Sequence, residues 1–178
     1  MQRYTRIAIL LHWLIALVIL SNFVFGHIMV DMTLSPTKLR YYSYHKWAGV
    51  TVFLLVIVRI LWRLMNRPPE LPRDMNRLER SFAHAAHGLL YLLTLAVPIS
   101  GWLFSSAKGF QTVYFGVLPI PDLLAKNPDL AEVLVEWHEG LNFLMAAVVV
   151  LHVLAALKHH FRDRDDVLAR MLPILKNR

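Results

Sequence analysis

The sequence contains no cysteine, and few of its 178 residues are charged. The absence of cysteine excludes disulfides, thiolate-bound metals, iron–sulfur clusters and the covalent attachment of a c-type haem. Charged residues make up 17% of the chain and hydrophobic residues 57%, a composition too apolar for a soluble domain of this length. We therefore expect a single domain whose solvent is partly lipid.

The formal net charge is +7, which in a soluble protein would suggest binding to nucleic acid. Here the basic residues cluster beside apolar segments, as they do in membrane proteins whose topology they set. We therefore expect membrane lipid, and no nucleic acid, as a partner of this chain.

Four apolar segments are long enough to cross a bilayer, at about residues 7–30, 42–65, 82–106 and 138–160. A helix needs roughly 20 residues to cross a hydrocarbon core of about 30 Å. No small-residue cleavage site follows the first segment, so we interpret it as a retained helix. The sequence thus predicts an all-α integral membrane protein, a four-helix bundle formed by residues 1–178 as one domain.

Lysine and arginine divide unequally between the two ends of such a bundle. The N-terminus, the region 59–80 and the tail from Lys158 place 14 of them at one end. The other end has 5, namely Lys38, Arg40, Lys46, Lys108 and Lys126. This imbalance predicts that both termini are cytoplasmic. On the outer side, the segment 129–137 is predicted to form a short surface helix after Pro128.

Nine histidines are unusual in so apolar a chain, and two of them share one helix face. His138 and His152 are fourteen residues apart, a rotation about 40° short of four full helical turns. They are separated by about 21 Å along the helix axis. This spacing suits one haem in each leaflet, since two neutral imidazoles form a six-coordinate haem site.

Each of these haems needs a second histidine at the same depth. The first span begins inside, so His12 lies near the level of His152, and the second begins outside, so His45 lies near the level of His138. The depths therefore predict the axial pairs His12–His152 and His45–His138 and two haem b groups between the helices.

Other histidines leave alternatives open. A lone histidine in a membrane span is more often an interhelical hydrogen-bonding group than a ligand. His27 is a rival outer ligand, whereas His84 and His87 are rival inner ligands or contacts to a quinone or a haem propionate. His159 and His160 are expected at the membrane interface.

Two further residues are predicted to contact the haems. Gly49 follows His45 by one turn, and the absence of a side chain there would let a porphyrin approach the backbone or two helices pack closely. Arg59 lies fourteen residues after His45, at the inner level. A buried arginine needs a partner, and a haem propionate fits, although a snorkelling side chain is the alternative.

The ordered set of motifs along nearly the whole chain resembles the bacterial cytochrome b561 family, small di-haem cytochromes related to the cytochrome b subunits of nickel hydrogenases. The motifs are His12-Trp13, His45-Lys46-Trp47-Ala48-Gly49, Arg67-Pro68-Pro69, Ala83-His84-Ala85-Ala86-His87, Pro98-Ile99-Ser100-Gly101-Trp102, Trp137-His138-Glu139, Leu151-His152-Val153 and His159-His160-Phe161.

The resemblance implies haem ligands at His12, His45, His138 and His152, the same four residues, in a multi-pass protein of the bacterial inner membrane. It also implies electron exchange with ubiquinone, and members of the family oxidise superoxide to dioxygen. Lys38, Arg40, Lys46 and Lys108 would attract superoxide to the outer face. His87 and Arg59 are inner-side candidates for quinone anchoring or proton delivery.

Three functions are compatible with these features. The first is a superoxide:ubiquinone oxidoreductase. The second is an electron-carrier subunit that links a dehydrogenase or hydrogenase to quinone, with a protein partner that the sequence leaves unknown. The third is a haem-free membrane protein, such as a metal transporter, which would leave the depth-matched histidines unexplained.

Overall fold

Four long helices make up most of the molecule, whose computed structural model describes residues 3–72 and 75–175. They are α1 (Arg6–Asp31), α2 (Pro36–Met65), α3 (Arg77–Lys108) and α4 (Pro128–Lys158). All four are long and apolar enough to cross a membrane. The prediction of an all-α, four-helix membrane architecture is therefore confirmed.

Smaller elements follow α3 and α4. An antiparallel hairpin of β1 (Val113–Tyr114) and β2 (Leu118–Pro119) lies in the connection between α3 and α4. A π-helical turn (His159–Asp163) continues α4, and the short α5 (Val167–Met171) follows it.

Each long helix begins at a polar side chain that accepts a hydrogen bond from the backbone of the first turn. These residues are Thr5, Ser35, Asn76 and Asn127. Pro36 and Pro128 follow two of them, and proline fits the first turn because it lacks an N–H group that would be unpaired there. At the end of α3, Gly109 has a φ of 78°, a left-handed conformation that glycine adopts without strain.

Three helices begin earlier than the apolar segments suggest. α2 starts at Pro36 rather than near residue 42, and α3 starts at Arg77 rather than near residue 82. α4 starts at Pro128, so the predicted separate surface helix over 129–137 is wrong and these residues are the first turns of α4. Hydropathy marks where a helix meets lipid, whereas the capping residues decide where the helix begins.

The bundle is held by two apolar clusters. Leu93, Val97, Met145 and Val148 form the cluster between α3 and α4. Ile15, Val52 and Val56 form the one between α1 and α2. In contrast, Leu10, Leu17 and Leu151 are 66%, 65% and 65% exposed. Leucines that are so exposed on long apolar helices are expected to contact lipid, as they do in a membrane bundle.

The start of α1, the end of α2, the start of α3 and the end of α4 meet at one end of the bundle, called the inner end below. Trp62 donates to Thr5 Oγ1 there over 2.8 Å, and Lys158 pairs with Glu79 over 2.8 Å. Of the 14 basic residues predicted at this end, Arg73, Lys176 and Arg178 lie outside the described residues.

Candidate functional site

The outer half of the bundle brings His45 of α2 opposite His138 of α4. Their ring centres are 6.2 Å apart and their planes are at 89°. An imidazole nitrogen lies about 2 Å from a metal ion that it ligates, so two imidazoles on opposite sides of one ion have ring centres about 6 Å apart. The observed separation is compatible with one haem iron between the two rings.

The hydrogen bonds around His138 orient its ring. Ser100 Oγ donates to Val97 O over 2.8 Å and lies 2.9 Å from His138 Nδ1. With the serine proton on Val97 O, Nδ1 of His138 would be the donor to Ser100, and Nε2 would keep its lone pair. Metal-ligating histidines are usually held by such a bond from their other nitrogen.

In contrast to His138, His45 has a buried Nδ1 that forms no hydrogen bond with any of the described residues. An unsatisfied buried polar atom costs about 1–3 kcal/mol. The described residues thus leave this buried imidazole without a protein partner, which is compatible with a role as a ligand.

Two glycines that the sequence analysis did not single out lie against these histidines. A Cβ on Gly26 of α1 would come within 3.1 Å of His45 Cε1, and a Cβ on Gly101 of α3 would come within 3.0 Å of His138 Cε1. Each ring is therefore backed by a glycine of a neighbouring helix. The only sequence signal was Gly101 within the Pro98–Trp102 motif.

A cavity of about 890 Å³ adjoins this histidine pair and is lined mostly by apolar side chains. His45, Gly49 and His138 are among its lining residues. A Cβ on Gly49 would meet nothing within 4 Å, so the glycine faces open space rather than a packed helix. The cavity falls within the 300–1,000 Å³ typical of cofactor sites, and its histidine, glycine and apolar lining fits a haem.

The hairpin closes one side of this outer cavity. Trp47 Nε1 donates to Val113 O over 2.7 Å, and Thr51 Oγ1 lies 2.9 Å from Tyr114 Oη. Lys46 Nζ donates to Ser105 Oγ and to Phe110 O over 3.1 and 3.0 Å. The contacts of Trp47 and Thr51 fix the hairpin along α2, and those of Lys46 fix the end of α3 to the same helix.

The four basic residues predicted to attract an anion are not equivalent. Lys46 and Lys108 line the outer cavity. Lys38 Nζ instead donates to Val30 O and Met32 O over 2.9 and 2.6 Å, where it satisfies carbonyls at the end of α1. Lys38 and Arg40 are not among the cavity-lining residues.

The inner half of the bundle brings three histidines together instead of two. The ring centres of His12 and His152 are 6.3 Å apart, and those of His87 and His152 are 5.4 Å apart. The inner cluster thus contains the predicted pair and one of its predicted rivals.

Arg59 lies beside this inner cluster. Its Nε donates to Tyr91 Oη over 3.1 Å, and its Nη1 donates to Ala8 O, one turn before His12, over 3.2 Å. No acidic side chain pairs with Arg59 among the described residues. An arginine without a counter-ion beside three histidines is suited to a bound anion.

The remaining histidines lie elsewhere. His27 Nδ1 is 2.9 Å from Phe23 O, and the ring packs against Phe143 rather than lining the outer cavity. His84 is exposed on α3. His159 Nδ1 is 2.6 Å from Asp165 Oδ2 in the turn after α4.

A change at Gly101 tests whether the glycine backing is required. We expect Gly101→Ala to displace the His138 ring, because the added methyl would lie 3.0 Å from Cε1, and to reduce haem bound in the outer half. The measurement is haem per chain by visible spectroscopy. Gly88→Ala on the same helix is the matched control, because its Cβ meets nothing within 4 Å. Equal haem content in both variants would contradict this role.

Known proteins resemble this chain over almost its whole length. The prokaryotic cytochrome b561 family matches residues 3–173. Cytochrome b561 homolog 2 of Escherichia coli K12 is 36% identical over 96% of this chain and 92% of its own length. The "Probable superoxide oxidase CybB" of Yersinia pestis is 30% identical over 97% of both chains.

A third relative, cytochrome b562 of Cereibacter sphaeroides, is 33% identical over 95% of this chain and 94% of its own. The family match extends over almost all of the described helices, and membership implies the binding of haem b. Together with four apolar helices of membrane-spanning length, it makes the chain a multi-pass prokaryotic membrane protein that carries electrons. The chain belongs to the prokaryotic cytochrome b561 family.

Proposed function

We propose that this chain binds two haem b groups and transfers electrons from superoxide at its outer face to ubiquinone. The observation that supports this most strongly is the placement of histidine clusters in both halves of one bundle. His45 and His138 would hold the outer haem, and His12 and His152 would hold the inner haem. Bound haem supplies an iron that gains and loses one electron reversibly.

The residues around the outer pair would bind and orient the cofactor. Ser100 holds His138 with Nε2 free to ligate, and the hydrogen at Gly49 leaves room for the porphyrin plane. The apolar cavity walls would exclude water. Lys46 and Lys108, which line the same cavity, would draw the superoxide anion toward it.

At the inner end, Arg59 would pair with a propionate of the inner haem. His87 would contact the quinone or a propionate, since it packs against His152 without being needed as a ligand. Two superoxide anions would release two electrons and leave as dioxygen. Those electrons, with two protons, would convert one ubiquinone to ubiquinol.

The orientation of the chain follows the same proposal. Both termini would be cytoplasmic in the inner membrane, because the inner end holds most of the lysine and arginine. Superoxide would then meet the outer cavity from the periplasmic side. The similarity to a relative named as a probable superoxide oxidase supports this choice of electron donor.

A pulse of potassium superoxide given to the purified protein with a soluble ubiquinone tests the reaction. We expect one ubiquinol for every two superoxide anions that are not lost to spontaneous dismutation, and loss of that ubiquinol in His45→Ala. His27→Ala is the matched control, because this outer histidine does not line the cavity. Haem-replete protein that forms no ubiquinol, or forms it equally well in His45→Ala, would contradict the proposal.

One feature favours the alternative of an electron-carrier subunit. Phe115 and Val117 at the tip of the hairpin are 62% and 84% exposed, although the hairpin is otherwise fixed to α2. Exposed apolar residues beside a redox site could dock a soluble dehydrogenase. Reduction of the haems by such a partner, without any response to superoxide, would favour this function instead.

A further inference from the structure

A small pocket at the inner end of the bundle carries an unusual concentration of positive charge. It lies where α1 begins and α2 ends, and has a volume of about 30 Å³. Its lining includes the side chains of Arg59, Arg63 and Arg67, together with Tyr4 and Tyr91. Arg59 and Arg63 are four residues apart on one face of α2, and Arg67 lies just after the end of this helix at Met65.

Arg63 and Arg67 differ from two other basic residues at the inner end, Lys158 and Arg170. Lys158 is paired with Glu79 over 2.8 Å, and Arg170 with Asp166 over 2.7 Å. Within residues 3–72 and 75–175, neither Arg63 nor Arg67 forms an ion pair with an acidic side chain. Two unpaired guanidinium groups that converge on one pocket favour an anion from outside the chain.

The chemistry of the pocket is that of a phosphate site. Guanidinium groups bind phosphate oxygens through paired hydrogen bonds. Burial raises the pKa of the Tyr4 hydroxyl above its usual value, despite the nearby Arg63 and Arg59, so this hydroxyl remains a proton donor. The small volume suits one phosphate group, and would not accommodate a bulky apolar ligand.

The surroundings of the pocket indicate a lipid rather than a free anion. It lies at the end of the apolar spans, at the depth of phospholipid headgroups. On the opposite faces of the same two helix ends, Leu61 and Leu64 of α2 are 53% and 75% exposed, and Leu10 of α1 is 66% exposed. The helices that carry the pocket therefore face lipid, so a phospholipid headgroup is the source of phosphate that lies nearest to it.

We propose that this pocket binds the phosphate of an anionic phospholipid, with Arg63 and Arg67 as its main partners. The bound lipid would neutralise the charge between α1 and α2 and hold the two helix ends together. Basic pockets between helices at the cytoplasmic side of membrane proteins commonly bind such headgroups. Arg59, which lies deeper beside the histidines, keeps its separate role at the inner haem.

Titration of the delipidated, haem-loaded protein in detergent with phosphatidylglycerol tests this site, with bound lipid counted by native mass spectrometry. We expect the Arg63→Gln/Arg67→Gln double variant to bind phosphatidylglycerol about tenfold more weakly or worse. The matched control, Arg3→Gln/Arg77→Gln, removes two charges from the same end outside the pocket and is expected to bind like the unaltered protein. Phosphatidylcholine with the same acyl chains is expected to bind weakly to all three.

Three results would overturn the proposal. Equal weakening in both double variants would show attraction to the whole basic end rather than to the pocket. Equal affinity for phosphatidylcholine would remove the role of headgroup charge. Displacement of the lipid by millimolar inorganic phosphate would identify a site for free anions. An unchanged haem spectrum shows that each variant is folded, so this test is independent of the electron-transfer proposal.

Discussion

Replacement of His45 by alanine is expected to remove the outer haem completely and to leave the inner haem in place. His45 faces His138 at 6.2 Å, and among the described residues no other histidine lines the outer cavity. No substitute ligand is therefore available on that side of the iron. Haem per chain, measured as the pyridine haemochrome, is expected to fall by half, with one component lost from the reduced-minus-oxidised spectrum.

His27→Ala provides the control for this first prediction, because His27 is the rival outer ligand. Its ring lies between Phe23 and Phe143, with Nδ1 held by Phe23 O. We expect it to retain both haems. Loss of a haem in His27→Ala with retention in His45→Ala would show that the outer ligand was assigned to the wrong residue.

The inner site gives the second large effect, because three histidines compete for two coordination positions. We expect His12→Ala and His152→Ala each to lose the inner haem, and His87→Ala to keep it. The separation of His12 and His152, at 6.3 Å, is close to the outer one of 6.2 Å, whereas that of His87 and His152 is only 5.4 Å. The shorter separation leaves less room for an iron between the rings.

If His87→Ala retains the inner haem, the midpoint potential of that haem and the KM for ubiquinone show what His87 contacts. A residue that contacts a propionate or the quinone is expected to change the midpoint potential of the inner haem or the KM for ubiquinone. Loss of the inner haem in His87→Ala, together with its retention in His12→Ala, would instead show that His87 and His152 hold this haem.

Much of the fold was predictable because a helix that crosses the hydrocarbon core must be long and apolar, and such segments can be recognised in the sequence. The histidine clusters were predictable for a related reason. Helix phase places His138 and His152 on one face, and alternating span direction brings His12 to the depth of His152 and His45 to the depth of His138. The structure places these four histidines in two clusters. Their roles as haem ligands stay a prediction.

Features that depend on contacts between helices were not visible in the sequence. Gly26 and Gly101 back the histidine rings only because α1 and α3 pack at particular heights against their neighbours. The start of α4 was missed because Asp129 and other acidic residues precede its apolar segment. Lys38 was expected to attract an anion, but it caps carbonyls of α1, an interaction between elements that hydropathy does not show.

The most direct test of this account is the number of haems in the unaltered protein. The detergent-purified chain would be quantified by pyridine haemochrome and protein concentration, together with a reduced-minus-oxidised visible spectrum. We predict about two haem b groups per chain, each with the spectrum of a six-coordinate, low-spin iron. One haem per chain would contradict the assignment of four histidine ligands, and a colourless protein would contradict a role in electron transfer.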